Sequence, residues 1–191
     1  MASREKTEQI RQQIIKSTDD LLYRKGFNLM SFSDIAEAAN VPRGNIYYYF
    51  KTKDEVLAAI IEYRIEQMQN MLNDWDKTIK TPLERLKRFA QVPLKEMDNV
   101  TQYGCPMGTL NAELGKTQYE LQHIARIQYD TFLKWLKKQF NELTPDKNAG
   151  NLALHLLVQT QGLSVVAHSY ADKTLVRREV KNIENWLESL V

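Results

Sequence analysis

The 191 residues are 43% hydrophobic and 26% charged, with seven glycines and five prolines, a composition that excludes a disordered chain and a fibrous repeat. No run approaches the ~18 apolar residues of a membrane span, the N-terminus lacks a signal-peptide core, and one cysteine excludes an internal disulfide framework, so we expect a cytoplasmic protein without membrane contact. The net charge is only +2, but residues 1–53 carry nine Lys and Arg against six Asp and Glu, which indicates a polyanionic partner at that end.

Apolar residues recur at helical spacing along almost the whole chain, which predicts an all-α fold of about nine helices. The first helix is predicted to stop at Gly26, which takes a left-handed conformation without strain. Ser31 and Asp34 have the spacing of a capping box and open a short second helix through Ala39. Asn40 tolerates a left-handed turn, so the chain bends before a third short helix at about residues 43–49.

The larger C-terminal part is predicted to be helical throughout. Capping boxes at Thr52 and Thr81 start two further helices, and the stretch "YGCPMG" at residues 103–108 is the clearest break. Thr144 and Pro145 are expected to cap the next helix, which runs over residues 148–170. The last helix, residues 174–190, carries an apolar seam suited to a partner helix: Val176, Val180, Ile183, Leu187 and Leu190.

Two short helices joined by a tight turn predict a helix-turn-helix, whose second helix enters the DNA major groove. Arg43 and Asn45 offer donors to base edges, and Gly44 permits a close backbone approach. Lys51 and Lys53 would neutralise phosphates. Three successive tyrosines, residues 47–49, fan around the helix, so we expect one ring in the core and at least one hydroxyl on a phosphate.

The stretch "FNLMSFSDIAEAANVPRGNIYYYFKTKDEVL" resembles the DNA-binding signature of the TetR family of bacterial transcriptional repressors, with Asn40 where that family usually has glycine. The resemblance implies an N-terminal three-helix bundle at residues 1–53, followed by a larger effector-binding and dimerisation domain at residues 54–191. It also implies a homodimer on a palindromic operator, with the last two helices forming the dimer. The DNA-binding residues that we predict are Ser33, Arg43, Gly44, Asn45, Tyr47, Tyr48, Lys51 and Lys53, with Tyr47 either packed or on a phosphate.

Cys105 precedes Pro106, a residue that favours the first position of a helix, so the thiol would lie at a helix N-terminus where a thiolate is stabilised. The segment "GCPMGTLNAEL" is similar to a TetR subgroup of electrophile- and hypochlorite-sensing repressors related to the repressor of N-ethylmaleimide reductase. A reactive Cys105 is therefore one hypothesis for effector sensing, and an inert buried thiol is the other.

A noncovalent small-molecule pocket is the alternative effector site. Polar residues interrupt the apolar helix at residues 148–170, and aromatic and sulfur-containing side chains could line a cavity beside them. The residues that we predict for the effector or sensor site are Cys105, Tyr103, Met97, Trp135, His155 and Gln159, with Tyr129 and Gln161 as further candidates.

Other function classes have weaker support in the sequence. The three histidines lack the close pairing of a metal site, and we predict neither a metal nor a cofactor. The chain has no glycine-rich phosphate loop and no nucleophile elbow, which disfavours an enzyme. If the chain were a purely structural helical protein, the excess of basic over acidic residues in residues 1–53 would be incidental.

Overall fold

The computed structural model describes residues 2–145 and 148–191, and every regular element within these ranges is a helix. The all-α fold class is thereby confirmed. The helices are α1 (Ala2–Lys25), α2 (Phe32–Ala38), α3 (Arg43–Tyr49), α4 (Lys53–Thr78), α5 (Pro82–Ala90), α6 (Val92–Lys95), α7 (Met97–Tyr103), α8 (Pro106–Leu114), α9 (Tyr119–Leu143), α10 (Ala149–Tyr170) and α11 (Lys173–Glu188).

Local sequence signals determine where the N-terminal helices begin and end. Gly26 follows α1 with φ of 81°, and Asn40 follows α2 with φ of 51°, so both predicted left-handed positions are confirmed. At α2 the Ser31 hydroxyl accepts the Asp34 N–H, while the Asp34 carboxylate accepts the Ser31 N–H at 2.7 Å. This reciprocal capping box is the one that the sequence predicts.

The capping of the C-terminal helices differs from prediction at two places. Asn148, not Thr144, caps α10, because its side chain accepts the Asn151 N–H at 3.0 Å. Asp172 caps α11 by accepting the Thr174 N–H at 2.7 Å, so this helix begins one residue before Thr174. Both residue types are strong N-caps, because a short side-chain oxygen reaches an otherwise unpaired amide of the first turn.

More helices are present in the described residues than the nine or so expected, since the chain between Thr81 and Gly104 divides into three short helices. α5 ends at Ala90, and Pro93 lies at the start of α6, where its missing N–H costs no helical hydrogen bond. Gly104, with φ of 79°, then ends α7 directly before Cys105.

The chain forms two compact units, each with its own apolar core. The first unit runs to Glu66 and includes Thr109–Arg126, and the second comprises Gln67–Gly108 and Ile127–Val191. The fully buried side chains of the first core include Ile14, Phe27, Met30, Ile35, Ile46 and Phe50, and those of the second include Leu86, Leu136, Phe140, Leu156, Val176 and Leu187. The predicted domain boundary after residue 53 stays a prediction, and it lies in the first turn of α4.

The apolar seam of α11 packs within its own chain. Val176, Val180, Ile183 and Leu187 are all buried in the second core, where α11 packs against α10 and α5. The partner helices that the sequence predicts for this seam are α10 and α5 of the same chain, because a helical bundle covers its strongest apolar stripes internally.

Among the described residues, no helix is both long enough and apolar enough to cross a bilayer.

Candidate nucleic-acid interface

The turn between α2 and α3 fixes the orientation of α3. The Val41 N–H donates to the Ala36 carbonyl at 2.9 Å, and the Asn45 N–H donates to the Pro42 carbonyl at 2.8 Å. Ile46 on α3 and Ile35 on α2 are fully buried in the first core. A seven-residue helix is too short to be stable alone, so these apolar anchors hold α3 in place.

The leading side of α3 is exposed. Arg43, Gly44 and Asn45 all lie at the surface, and a Cβ placed on Gly44 would meet no atom within 4 Å. Tyr48 is 70% exposed. These residues form a continuous surface of hydrogen-bond donors and one aromatic ring, which we call the α3 surface.

The three tyrosines of α3 point in different directions, as their spacing requires. Tyr49 is half-buried and packs against the first core, where the sequence predicted that one ring would lie. Tyr48 meets the Tyr49 ring edge-on, with centroids 5.1 Å apart. The Tyr47 ring lies 4.8 Å from the ring of Phe32 at the start of α2, so Tyr47 links the two helices while staying partly exposed.

The two lysines after α3 have different surroundings. Lys51 is exposed, and its ammonium donates to the Tyr47 carbonyl at 2.5 Å. Lys53 is half-buried, its ammonium donates to the carbonyls of Phe27 and Met30, and it lies 4.7 Å from the Phe27 ring centroid. Lys53 therefore fastens the turn between α1 and α2, and a contact of this residue with DNA stays a prediction.

The start of α2 presents a further polar surface. Ser33 is exposed in the first turn, next to the capping box. Lys25 pairs with the Asp34 carboxylate at 2.7 Å, and this ammonium, with the Ser31 hydroxyl and amide, holds the pKa of Asp34 well below its ordinary value of 3.8. The contacts of Phe32 and Lys25 could not be predicted from the sequence, because no local pattern marks them.

Cys105 lies in the second unit, near the polar side chains of Tyr129 and Gln161. α8 begins at Pro106, as predicted, so Cys105 directly precedes its first turn. A Cβ on Gly108 would lie 3.4 Å from the Cys105 Cβ, 3.4 Å from the Tyr129 hydroxyl and 2.9 Å from the Gln161 Oε1. The Tyr129 hydroxyl donates to Gln161 Oε1 at 3.1 Å. Burial, and secondly the nearby Cys105, raises the pKa of Tyr129 above its ordinary value of 10.0.

The other predicted effector residues have separate surroundings. Trp135 is buried, donates to the Asp76 carboxylate at 3.0 Å and meets Trp75 edge-on. His155 is exposed, with its ring 4.8 Å from Trp186. Gln159 lines a surface groove between α10 and α11.

Two more predicted effector residues, Met97 and Tyr103, are partly buried, and Met97 packs against the second core. Within residues 2–145 and 148–191, no group of three His, Cys, Asp or Glu side chains is arranged to hold a metal ion.

The helix-turn-helix region of the chain also matches a family of known regulatory proteins. Residues 14–60 match the family model described as "Bacterial regulatory proteins, tetR family". Over 156 residues the chain is 28% identical to an uncharacterized HTH-type transcriptional regulator in the lacX 3' region of Lactococcus lactis, covering 80% of each chain.

Two crystal structures have the fold of almost the whole chain. A TetR transcriptional regulator from Legionella pneumophila gives a TM-score of 0.80 at 21% identity, covering 94% of this chain and 95% of that one. E. coli NemR in its reduced form gives a TM-score of 0.82 at 17% identity, covering 93% and 96%. At these identities, the likeness concerns the fold alone.

Proposed function

We propose that this chain, a TetR-family transcriptional regulator, is a repressor that binds a palindromic operator as a homodimer and leaves it when an effector acts. The chain is not an enzyme. The observation that carries the proposal is the α3 surface, whose donors stand exposed on a helix anchored by a fully buried Ile46. A repressor of this kind acts in the cytoplasm, where the DNA is.

The α3 surface supplies the groups that base recognition needs. The Arg43 guanidinium would donate two hydrogen bonds to O6 and N7 of a guanine, and the Asn45 amide would pair with an adenine edge. With no Cβ on Gly44, the backbone of α3 can approach the groove floor closely. Specificity would thus come from the first turn of α3.

Contacts around α3 would hold the DNA backbone. Ser33 on α2 and Lys51 after α3 are both exposed, and the Tyr47 hydroxyl belongs to a residue that is 44% exposed. These groups would donate to phosphates, which position a protein on DNA without reading its sequence. The net excess of basic residues in residues 1–53 favours the same polyanion.

The dimer is proposed to form through the exposed face of α10 with the neighbouring part of α11. Leu154, Val158, Val165 and Val166 remain at least 45% exposed, although they lie on one of the most apolar helices of the chain. A groove of about 360 Å³ runs beside them and is lined in part by Gly162, where a second helix could approach closely. An exposed apolar stripe of this length is typical of a protein interface.

Homodimerisation matters because the operator is read twice. Two α3 helices must lie roughly one DNA turn apart, about 34–36 Å, or a multiple of it. An effector that changes this separation would weaken binding without touching the α3 surface.

We propose two kinds of effector, and the first is an electrophile that reacts with Cys105. The thiolate of Cys105 would add to an activated double bond, such as that of N-ethylmaleimide, forming a C–S bond while the neighbouring carbon takes a proton from water. The adduct would disturb the neighbouring hydrogen bond between Tyr129 and Gln161. A noncovalent inducer is the second candidate, favoured by the hydrogen-bonded polar groups of Tyr129 and Gln161, which are both partly buried.

Operator selection followed by a salt titration tests the repressor. The purified protein is used to select duplexes from a randomised pool, and the affinity for the selected duplex is then measured by mobility shift over a range of salt concentrations. We expect a palindromic consensus and a steep fall of affinity, with a log-log slope near −0.9 for each neutralised phosphate. Failure to enrich any duplex, or an affinity independent of salt, would contradict the proposal.

A further inference from the structure

Glu113 on α8 contacts the turn that precedes the helix-turn-helix. Its two carboxylate oxygens each accept a backbone N–H, Oε2 from Phe27 at 3.0 Å and Oε1 from Asn28 at 2.7 Å. These amides directly follow Gly26, whose left-handed φ of 81° turns them toward the carboxylate. Successive amides after a left-handed residue form an anion-binding concavity, and here the protein's own side chain fills it.

The fit at this contact is tight. A Cβ on Gly26 would lie 3.0 Å from Oε2 and 3.3 Å from Oε1 of Glu113, closer than ordinary packing allows. On either side of Glu113, Leu110 and Leu114 are buried in the same core as Phe27. The apolar anchors of α8 thus hold the Glu113 carboxylate at the turn.

The same turn is held on its carbonyl side by Lys53. Its ammonium donates to the carbonyls of Phe27 and Met30. The turn is therefore fixed by an anion on its amides and by a cation on its carbonyls. Ser31, the N-cap of α2, follows Met30 directly, so the position of this turn sets where α2 begins.

We propose that Glu113 is a positioning residue for operator binding: by holding the amides of Phe27 and Asn28, it keeps the start of α2, and through α2 the α3 surface, in the arrangement that fits the operator. This inference rests on the proposed repressor function and adds to it a residue that lies outside the helix-turn-helix. Glu113 itself touches no DNA in this proposal. Loss of the Glu113 contact should weaken binding to the operator more than binding to an unrelated duplex, because a displaced α3 still carries the charge that attracts any DNA.

The experiment compares Glu113→Gln with a matched control, Glu84→Gln. Both carboxylates accept backbone amides beside a helix, but Glu84 caps α5 in the second unit, where it accepts the Thr81 N–H at 3.4 Å. Each variant is measured for affinity to the selected operator and to an unrelated duplex of equal length. Thermal melting records stability, and hydrogen exchange followed by NMR records the amides of Phe27 and Asn28.

Glu113→Gln keeps the size of the side chain but replaces one acceptor oxygen by a donor NH₂, which cannot accept the second amide. Because hydrogen bonds to charged groups are among the strongest in proteins, we expect the ratio of operator to unrelated-duplex affinity to fall about tenfold or more. Exchange of the Phe27 and Asn28 amides should accelerate by a similar factor. Glu84→Gln should leave both the ratio and these two amides unchanged, even if it lowers the melting temperature equally.

Three outcomes would overturn the inference. One is a Glu113→Gln protein whose affinity ratio stays within about twofold of the parent. Another is an equal loss of the ratio in Glu84→Gln, and the third is a Glu113→Gln protein that no longer folds, which would make the residue structural. If the parent itself selects no duplex, the proposed repressor function fails instead, so the two failures are distinguishable.

Discussion

The ammonium of Lys53 lies 2.6 Å from the carbonyl oxygen of Met30, at the turn between α1 and α2. Its second bond, to the Phe27 carbonyl at 2.9 Å, gives this lysine a role inside the N-terminal unit. The neighbouring Lys51 is exposed, and its ammonium donates to the Tyr47 carbonyl. Two lysines that are two residues apart therefore differ in what they stabilise.

We expect Lys53→Met to lower the free energy of unfolding by about 1–3 kcal/mol, because two charge-assisted hydrogen bonds to buried carbonyls are lost. Lys51→Met should change stability by less than about 0.5 kcal/mol, as exposed substitutions usually do, but should reduce the salt slope of operator binding by about one phosphate. Urea denaturation and salt-dependent mobility shifts measure the two effects. Greater destabilisation by Lys51→Met would contradict this division.

The α3 surface gives a prediction about specificity. We expect Arg43→Ala to weaken operator binding by about 1–3 kcal/mol, roughly 5- to 150-fold, because a bidentate contact to a base is lost. Tyr48→Ala should also weaken binding, since this ring is 70% exposed and contributes little to the core. Mobility shift with the selected operator measures both, and sedimentation checks that the dimer persists.

Tyr49→Ala is the control for these two variants. Tyr49 packs against the first core, so Tyr49→Ala should lower the melting temperature. It should change the ratio of operator to unrelated-duplex affinity less than Arg43→Ala does. If Arg43→Ala and Tyr48→Ala bound the operator as tightly as the parent, the placement of α3 in the groove would be incorrect.

The helix-turn-helix could be predicted because its signals are local. The Ser31 and Asp34 cap and the left-handed Asn40 both act on residues within a few positions of themselves. Neighbouring residues in a sequence are also neighbours in a turn or a short helix, so pattern and structure agree there.

Long-range partners could not be predicted in the same way. Glu113 binds an amide 86 residues earlier in the chain, and the sequence around Gly26 contains nothing that names this partner. The seam of α11 shows the same limit, because periodicity identifies an apolar face but not the helix that covers it. The partners of Trp135, namely Asp76 and the ring of Trp75, lie 59 and 60 residues away in the sequence, and no local pattern marks them.

The exposed face of α10 gives a prediction about assembly. We expect Val165→Asp to shift the protein toward monomer at micromolar concentration, because a charge would be buried in the proposed interface without a partner. Val165 is 60% exposed in the single chain, so the monomer itself should keep its fold. Ile127→Asp, at another exposed apolar position, is the control. Analytical ultracentrifugation that finds both variants equally dimeric would exclude this face.

Asp34 gives a prediction about acid. Its folded-state pKa is depressed by Lys25 and Ser31, so its contribution to stability is present above the ordinary pKa of 3.8 and is lost as the pH falls through the lower folded-state value. We therefore expect Asp34→Asn to be less stable than the parent at pH 7, with a difference that shrinks below about pH 4. Urea midpoints measured from pH 7 to pH 2 test this. A difference that stays constant over the range would show that the carboxylate charge contributes nothing.

Cys105 gives a prediction that separates the two kinds of effector. At pH 7, N-ethylmaleimide should form one adduct on the parent, seen by intact-mass spectrometry, and should release the operator in a mobility shift. Cys105→Ser removes the single cysteine of the chain, so it should form no adduct and should stay on the operator under the same treatment. The adduct needs space where little is free, because the Tyr129 hydroxyl bonds to Gln161 Oε1 at 3.1 Å and a Cβ added to Gly108 would lie only 2.9 Å from the same oxygen. Because a close-packed cluster cannot accept a new group without moving, modification should change the surrounding helices and not only the thiol.

An adduct that forms while the operator stays bound would exclude Cys105 as the sensor and would favour a noncovalent inducer.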